Sequence, residues 1–318
     1  MLKRLLWKIF IFAVAIQQAL CVDGNYCLVS TADSLFSALS NMSCGVVAVD
    51  GEITVDQNIM VTRSMSLIGV TPDAALIQGN PGKNGLYIRD VTTGITVRNL
   101  IIDGEGAQAA LVVANVSNVS IRHCTVIGSP NIFAVFIAGH DVAAGSPTLN
   151  NYLARDKMDS FNEFSDNIVK STWSGDSLSF SLQYLGRLEN NTVLDGGKIA
   201  YYMNANCTCL YNKVYNSISQ GIFISTPSYG NIFMYNKLLN TKYAGIKIKV
   251  QVEHTDTEDR VFDMQGYYDI IQENEVESNS YIGLEINNAN CLGESKLWLV
   301  SICFLSLMII RCFFLYIL

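Results

Sequence analysis

The chain has 318 residues, of which 50% are hydrophobic and 15% are charged. Its 28 acidic residues outnumber its 21 basic ones, which gives a formal net charge of −7. Acidic surfaces repel phosphate backbones and anionic lipid headgroups, so neither nucleic acid nor an anionic membrane surface is expected as a partner.

The first 21 residues have the order of a secretory signal peptide. Three basic residues within the first eight precede the apolar stretch 9–16, and Ala19 and Cys21 supply small residues near its end. An uncleaved anchor is the alternative, but eight apolar residues are too few to span a bilayer. We therefore expect a signal peptide over 1–21, cleaved after about Cys21.

Residues 22–60 are predicted to form an N-terminal cap and the first coil of a repetitive β-structure. The segment 32–39 has the spacing of a short amphipathic helix, and an apolar strand with an Asp-Gly turn follows at 46–51. A cap is needed because the first coil would otherwise expose its apolar cross-section and its strand edge.

From residue 61 to about 290 the sequence repeats a unit of just over 20 residues. Four units contain an Asn, an aliphatic residue two positions later and a strand that opens nine residues after the Asn; these are the units of Asn191, Asn212, Asn236 and Asn274. Units this short predict coils of three short strands around a triangular core. An Asn tolerates the left-handed conformation of a sharp corner, and its amide can bond the Asn of the next coil.

The opening of this region, 31–104, resembles the pectin-lyase-like right-handed parallel β-helix proteins. The resemblance rests on the helix at 32–39, the strand and turn at 46–51, and the runs 59–69 and 95–104, and with the repeats it extends over about 25–290. It implies an all-β fold, a single-stranded right-handed parallel β-helix with an N-terminal α-helical cap. It does not imply one function, because this fold hosts lyases, hydrolases, epimerases, esterases, adhesins and phage spikes.

The C-terminal segment 297–318 is mostly apolar and contains no charged residue except Arg311. It is long enough to cross a membrane as a helix if Arg311 reaches the interface or faces a partner. A glycolipid-anchor signal is the alternative, although the polar spacer 294–296 is shorter than such a signal requires. We expect a single-pass membrane protein with the bulk of the chain extracellular or lumenal, on a cell surface or a viral envelope.

Sequons and cysteines between the two apolar ends fit the same location. Acceptor sequons for N-glycosylation begin at Asn41, Asn115, Asn118, Asn190 and Asn206. The six cysteines of this region permit disulfides whose connectivity the sequence does not determine, and Cys27 with Cys44 is the pair that we favour.

The repeat register predicts two columns of outward side chains on one sheet. The first column holds Tyr202, Phe223, Lys247 and Glu285, and the second holds Asn204, Ser225, Lys249 and Asn287. Two neighbouring aromatic rings could stack on a sugar, and the polar groups could bond its hydroxyls. The alternative is that the rings only stabilise the sheet or pack beneath a loop. The predicted ligand-binding residues are Tyr202, Phe223, Lys247, Lys249 and Glu285.

Two steps of the repeat are longer than the others and predict long loops at 139–162 and 250–269. Both loops follow the same sheet, and four coil steps would set them roughly 19 Å apart, enough for a trough that holds several sugar units. The alternative is a pair of solvated acidic loops without a role.

Catalytic and metal-binding residues are predicted only as isolated candidates. Asp176, His140, Lys247 and Asp195 are the candidates for catalysis, but Ser177 stands where the related hydrolases need a second aspartate. Four acidic residues of the second loop could bind Ca²⁺, as in the lyases of the resembled family: Asp256, Glu258, Asp259 and Asp263. No other cofactor is expected.

These observations favour a membrane-anchored extracellular β-helix glycoprotein that binds a polysaccharide, another glycan or a surface receptor through the sheet face between the two loops. One alternative is a polysaccharide lyase, hydrolase or epimerase of the pectin-lyase-like fold. The other is a structural surface or envelope protein.

Overall fold

A computed structural model of the protein describes residues 25–91, 94–104, 107–128, 133–139, 158–172, 174–225, 228–250, 269–278 and 282–288. The predicted signal peptide and the C-terminal segment lie outside these residues, as does most of each predicted long loop. The part of the chain that the structure describes contains no helix with the length and hydrophobicity needed to span a membrane.

The described residues form one helix, α1 (Ala32–Ser40), and thirty short strands. The first ten strands are β1 (Asn25–Val29), β2 (Cys44–Val49), β3 (Glu52–Val55), β4 (Ile59–Val61), β5 (Met65–Gly69), β6 (Ala75–Gln78), β7 (Leu86–Arg89), β8 (Ile95–Arg98), β9 (Ile101–Asp103) and β10 (Leu111–Ala114). The next ten are β11 (Val119–Arg122), β12 (Thr125–Ile127), β13 (Val135–Ala138), β14 (Asp159–Ser160), β15 (Glu163–Ser165), β16 (Ile168–Lys170), β17 (Asp176–Ser181), β18 (Gln183–Tyr184), β19 (Arg187–Glu189) and β20 (Thr192–Leu194). The last ten are β21 (Lys198–Tyr202), β22 (Thr208–Leu210), β23 (Lys213–Tyr215), β24 (Ile222–Ser225), β25 (Ile232–Met234), β26 (Lys237–Thr241), β27 (Ile246–Val250), β28 (Ile270–Gln272), β29 (Glu275–Ser278) and β30 (Leu284–Asn288).

The strands form three long parallel sheets in the described part of the chain. Sheet A has the order β1-β2-β5-β8-β11-β15-β19-β22-β25-β28, sheet B the order β3-β6-β9-β12-β16-β20-β23-β26-β29, and sheet C the order β4-β7-β10-β13-β17-β21-β24-β27-β30. A small fourth sheet pairs β14 with β18. Each turn adds one strand to A, then B, then C. The architecture is therefore a parallel β-solenoid, consistent with the right-handed β-helix expected from the sequence.

The solenoid encloses one continuous apolar core. Each strand turns alternate side chains inward, and the parallel register stacks them on the same position of the next turn. In sheet A the inward column runs through Val47, Leu67, Val97, Ile121, Phe164, Leu188, Cys209, Phe233 and Ile271. All of these side chains are buried.

Helix α1 covers the N-terminal end of this core. The Thr31 side chain accepts a hydrogen bond from the Ser34 backbone amide at its start, and Leu35 is fully buried against the first turn. At its end, the Arg63 guanidinium donates to the carbonyl oxygens of Ala38 and Leu39, each at 3.0 Å. The Ala38 carbonyl also accepts from the Asn41 backbone amide at 3.2 Å, so Arg63 completes the hydrogen bonding at the end of the helix and fixes it to the solenoid.

A disulfide joins Cys27 of β1 to Cys44 of β2, with 5.7 Å between the two Cα atoms. This is the pair that the sequence favours. The other described cysteines, Cys124, Cys207 and Cys209, are free and buried. Burial raises the pKa of each of their thiols to about 12, so they are protonated core side chains at neutral pH.

A ladder of buried asparagines runs through the corner between sheets A and B. Its members are Asn167, Asn191, Asn212, Asn236 and Asn274. Each of the first four donates its Nδ2 to the Oδ1 of the Asn in the next turn at 2.9–3.2 Å, and also donates its backbone amide to the same oxygen. The amide-to-amide bonds expected from the repeat are present.

The left-handed backbone expected at these asparagines lies one residue earlier. The positive φ angles belong to the residues that precede the ladder: Asp166, Asn190, Tyr211, Tyr235 and Glu273. The ladder asparagines themselves point into the core and are at most 6% exposed. The two roles that the sequence assigns to one Asn therefore belong to two neighbouring residues. The residue before the ladder Asn takes the left-handed conformation that bends the chain, and the ladder Asn makes the hydrogen bonds.

A second polar column lies at the corner that leads into sheet A. Asn162, Cys207 and Asn231 occupy this column, and Asp269 ends it in the last described turn. Both the backbone amide and the Nδ2 of Asn231 donate to Asp269 Oδ1, at 2.9 and 3.0 Å. Burial raises the pKa of the Asp269 carboxyl to about 6 against the effect of these two bonds.

Replacing Asn212 by Ala should lower the free energy of unfolding by about 3 kcal/mol or more, because it leaves buried partners on two neighbouring turns unsatisfied. Asn212 donates to Leu188 O and to Asn236 Oδ1, and its own Oδ1 accepts two bonds from Asn191. Urea unfolding measures the loss. Asn240→Ala is the matched control: Asn240 bonds Asn216 at an exposed corner, so its loss should be about 1 kcal/mol. Equal losses of unfolding free energy in the two variants would mean that the buried ladder stabilises the protein no more than an exposed hydrogen bond does.

Asp269 should make the solenoid less stable as the pH rises. Its pKa is about 6 in the folded chain and about 3.9 when unfolded, so the folded state holds the extra proton between these values. The free energy of unfolding should therefore fall between about pH 4 and pH 6. Asp269→Asn removes this dependence and should stabilise the protein by about 1–2 kcal/mol at pH 7. The difference between the urea curves of the two proteins at pH 4 and pH 7 tests this, and a constant difference would contradict it.

Candidate functional site

The outer face of sheet C brings together part of the predicted ligand-binding set. Phe223, Lys247 and Glu285 lie in one column on adjacent turns, as expected. Tyr202 does not share it, because Tyr202 pairs with Ser225, and Ala200 takes the place next to Phe223. The predicted position of Tyr202 in the first column is wrong by two residues.

The error comes from the corner between β20 and β21. Leu194 is aligned with Tyr215, and Ile199 is aligned with Ile222, so this corner has four residues where the next turn has six. A constant distance between the ladder Asn and the following strand therefore does not hold here. Gly196 permits the shorter path, because a Cβ at this position would lie 2.5 Å from the Ser171 carbonyl oxygen.

Asn204 is also misplaced by the sequence register. It lies beyond the end of β21 and is fully buried. Its Nδ2 donates to Phe180 O at 2.7 Å, and its Oδ1 accepts from the Gln183 amide at 2.8 Å. Asn204 is thus a structural side chain at a corner, whereas Ser225 and Lys249 do share a column with Tyr202.

Four side chains at the centre of this face form what we call the sheet C cluster: Asp176, Lys198, Tyr202 and Phe223. Lys198 Nζ lies 2.7 Å from Asp176 Oδ1, and the Tyr202 hydroxyl donates to Asp176 Oδ2 at 2.7 Å. The rings of Tyr202 and Phe223 are 5.7 Å apart at 55°, and Lys198 Nζ lies 5.4 Å from the Phe223 ring centre. One carboxylate, one ammonium group and two aromatic rings from three consecutive turns of the solenoid therefore meet.

Burial gives this cluster a defined protonation state. Asp176 is only 7% exposed. The pKa of the Tyr202 hydroxyl is raised well above its ordinary value, first by burial and then by the nearby Asp176 carboxylate. At neutral pH the Tyr202 hydroxyl is therefore a hydrogen-bond donor that cannot serve as a base.

Two features extend the cluster toward the C-terminal turns. Lys247 Nζ lies 2.9 Å from Glu285 Oε1, in the same column as Phe223. Ser225, next to Tyr202 in the register, is fully buried, and its hydroxyl has no hydrogen-bond partner in the described structure. A buried hydroxyl without a partner costs about 1–3 kcal/mol, and because Ser225 has no exposed surface, this cost is borne by the folded sheet itself.

The remaining candidates do not join this cluster in the described structure. Asp195 lies at the exposed corner between sheets B and C, where its Oδ1 accepts from Asn216 Nδ2 at 2.8 Å. Outside the described residues lie His140 and the four predicted Ca²⁺ ligands Asp256, Glu258, Asp259 and Asp263. The residues that the structure describes contain no group of three or more His, Cys, Asp or Glu side chains arranged as a metal site.

The five predicted glycosylation sites lie at turns and outside the strands of sheet C. Asn41 is the C-cap of α1. The other four have φ angles between 52° and 61° at corners of the solenoid: Asn115, Asn118, Asn190 and Asn206. All five are at least partly exposed. Glycans at these positions would leave the middle of the sheet C face open.

The function of the sheet C cluster must be inferred from its own chemistry. No protein-family model matches this chain, and no curated protein matches it significantly. Sequence reasoning missed Lys198, although the alternation of Lys198, Ala200 and Tyr202 in β21 places all three on the outer face. Only a correct register could have shown that Lys198 meets Phe223.

The Asp176–Lys198 pair should be strongly coupled, because the side chains are only 9% and 14% exposed. A double-mutant cycle with Asp176→Asn and Lys198→Met should give a coupling energy of about 2 kcal/mol in urea unfolding. Lys237 and Glu275, 3.1 Å apart and 38% and 52% exposed, form a matched pair across two turns that should give only about 0.5 kcal/mol. Similar coupling in both cycles would show that the sheet C cluster is as solvated as the surface.

Proposed function

We propose that this chain is an extracellular, membrane-anchored glycoprotein of the pectin-lyase-like right-handed β-helix class, and that it binds a carbohydrate through the outer face of sheet C. The observation that supports the proposal most directly is the Tyr202–Phe223 ring pair, held beside the Asp176–Lys198 ion pair. An aromatic face combined with fixed polar groups is the usual way in which proteins hold a sugar ring.

The two ion pairs of the face suit a neutral sugar. Asp176 is paired with Lys198, and Lys247 is paired with Glu285, so the four side chains sum to no formal charge. A sugar hydroxyl both donates and accepts, so it can bond a carboxylate and an ammonium group together. A strongly anionic ligand would have to compete with the two carboxylates for the same ammonium groups.

The scaffold supports binding because it holds these groups rigidly. Each side chain of the face rises from a strand that is paired on both sides, except in the first and last described strands of sheet C, β4 and β30. Little conformational entropy is then lost when a ligand binds.

Binding is favoured over catalysis by the state of the same groups. Tyr202 is protonated at neutral pH, and the Asp176 carboxylate already accepts bonds from Tyr202 and Lys198. A general base needs a free lone pair near the proton that it removes. The geometry therefore gives the cluster orienting groups and no activated base.

Phe223→Ala should weaken carbohydrate binding roughly tenfold, which corresponds to the loss of one aromatic stacking contact. The full chain is screened on a glycan array, and the affinity for the best glycan is then measured for each variant. Phe223→Leu keeps the apolar contact without the ring and should also lose affinity. Tyr26→Ala removes an exposed ring from the first turn of sheet A and should change nothing.

Three outcomes would contradict the proposal. The array could show no glycan bound, or Tyr26→Ala could reduce binding as much as Phe223→Ala. Release of shortened or unsaturated sugars during incubation, with or without Ca²⁺, would replace binding by a hydrolase or lyase activity.

A further inference from the structure

A second surface with exposed aromatic rings lies at the corner between sheets A and B, away from sheet C. A cavity of about 670 Å³ opens there between neighbouring turns, and we call it the corner groove. Its lining includes Asn190, Tyr211, Tyr235 and Glu273 from the left-handed corner positions, with Lys213 and Lys237 from sheet B. The groove therefore combines two rings with polar groups along one edge of the solenoid.

The two tyrosines of the groove are stacked on each other. Their ring centres are 5.0 Å apart and their planes differ by 9°, which matches the spacing of adjacent turns. Tyr211 is 53% exposed and Tyr235 is 42% exposed. The Tyr235 hydroxyl bonds Glu273 in the following turn, and this bond raises the pKa of Tyr235. The ring face of Tyr211 that does not meet Tyr235 is directed toward the preceding turn.

The residue at that preceding corner is Asn190. It is exposed, it lines the same cavity, and it begins the sequon Asn190-Asn191-Thr192. Its Nδ2 donates one hydrogen bond to Asp166 Oδ1, at 2.6 Å, on the side away from Tyr211. An amide nitrogen carries two protons, so one remains for substitution.

We propose that Asn190 carries an N-glycan and that its first N-acetylglucosamine stacks on the free face of Tyr211, so that the corner groove holds a sugar of the chain itself. The attachment forms a bond between Nδ2 and the sugar C1. The bond from C1 to a lipid-linked diphosphate donor breaks, and the diphosphate leaves with the Nδ2 proton. This inference concerns a different surface from the sheet C site. The two proposals share one premise, that the chain passes through the secretory pathway.

Position and chemistry select this occupant. Asn190 and Tyr235 lie at the same corner as Tyr211, one turn before it and one turn after it. A sugar linked to Asn190 therefore adds a third ring to the stack of Tyr211 and Tyr235. Lys213 lies in the strand that follows Tyr211 and can donate to the sugar hydroxyls and to the acetamido oxygen. The attachment also supplies the ligand at a high effective concentration, so a modest stacking energy suffices.

The test compares the full chain with Thr192→Ala, which removes the sequon and keeps Asn190. Both proteins are produced in a eukaryotic secretory host and in a host without N-glycosylation, and the second pair reports the effect of the substitution alone. Glycopeptide mass spectrometry should find a glycan on Asn190. After subtraction, loss of the glycan should lower Tm by about 2–4 °C. Trimming the glycan to one N-acetylglucosamine should preserve this difference.

The same comparison in a Tyr211→Asn background identifies the contact. Asn tolerates the left-handed backbone of this corner, and without the ring the glycan should no longer change Tm. Tyr243→Asn, at an exposed tyrosine that does not line the groove, should leave the shift intact. In wild-type protein the sugar protons should also move upfield in the NMR spectrum, because they lie over an aromatic ring. This measurement needs no variant.

An unmodified Asn190 in the secreted protein would overturn the inference, as would sugar resonances without an upfield shift. A Tm effect of equal size with and without Tyr211 would also overturn it. None of these three results would affect carbohydrate binding at sheet C, because Thr192→Ala leaves Phe223 and its neighbours unchanged. Conversely, a failed glycan array would not alter the result at Asn190.

Discussion

The structure depends on a polar group that can bond to a copy of itself. In a solenoid, a side chain at a given corner meets the same position of the next turn, and a buried polar group there must find its partner in that position. Asn meets this condition because its amide both donates and accepts. The ladder from Asn167 to Asn274 therefore satisfies itself through five turns of the described chain. An ionised Asp only accepts, so Asp269 can end the second polar column by accepting two bonds from Asn231, while burial raises its pKa against the effect of those bonds.

The ladder also frees the residue before it. Because Asn191, Asn212 and Asn236 fix the backbone from inside, the preceding residue needs only to accept a left-handed conformation and to point outward. Asp, Asn, Tyr and Glu all occur at that place. These exposed corner positions can therefore change in residue type, and so in surface chemistry, without disturbing the core. The stacked pair Tyr211 and Tyr235 is one outcome of this freedom.

The repeat was sufficient to predict the fold class, and it failed where a corner changed length. Counting from Asn191 placed Tyr202 two residues out of register, because the corner 195–198 is two residues shorter than that of the next turn. A strand alternates with period two, so this slip kept Tyr202 on the outer face and moved it only to the next column. The hydrogen bond from Tyr202 to Asp176 also depends on a bulge in β17, and no residue type in that strand predicts the bulge. The sequence thus predicts which face of a sheet a side chain lies on better than it predicts which side chains it contacts.

Sequons in this chain follow partly from the chemistry of its corners. Asn118, Asn190 and Asn206 each supply the left-handed residue, the next residue is buried, and the Ser or Thr after it lies in the following strand. Asn favours the first position, and Thr suits a strand, so the motif arises without selection for glycosylation. Their number therefore says little about modification. Asn190 is distinguished by the cavity that it borders, with the Tyr211 ring on the adjacent turn.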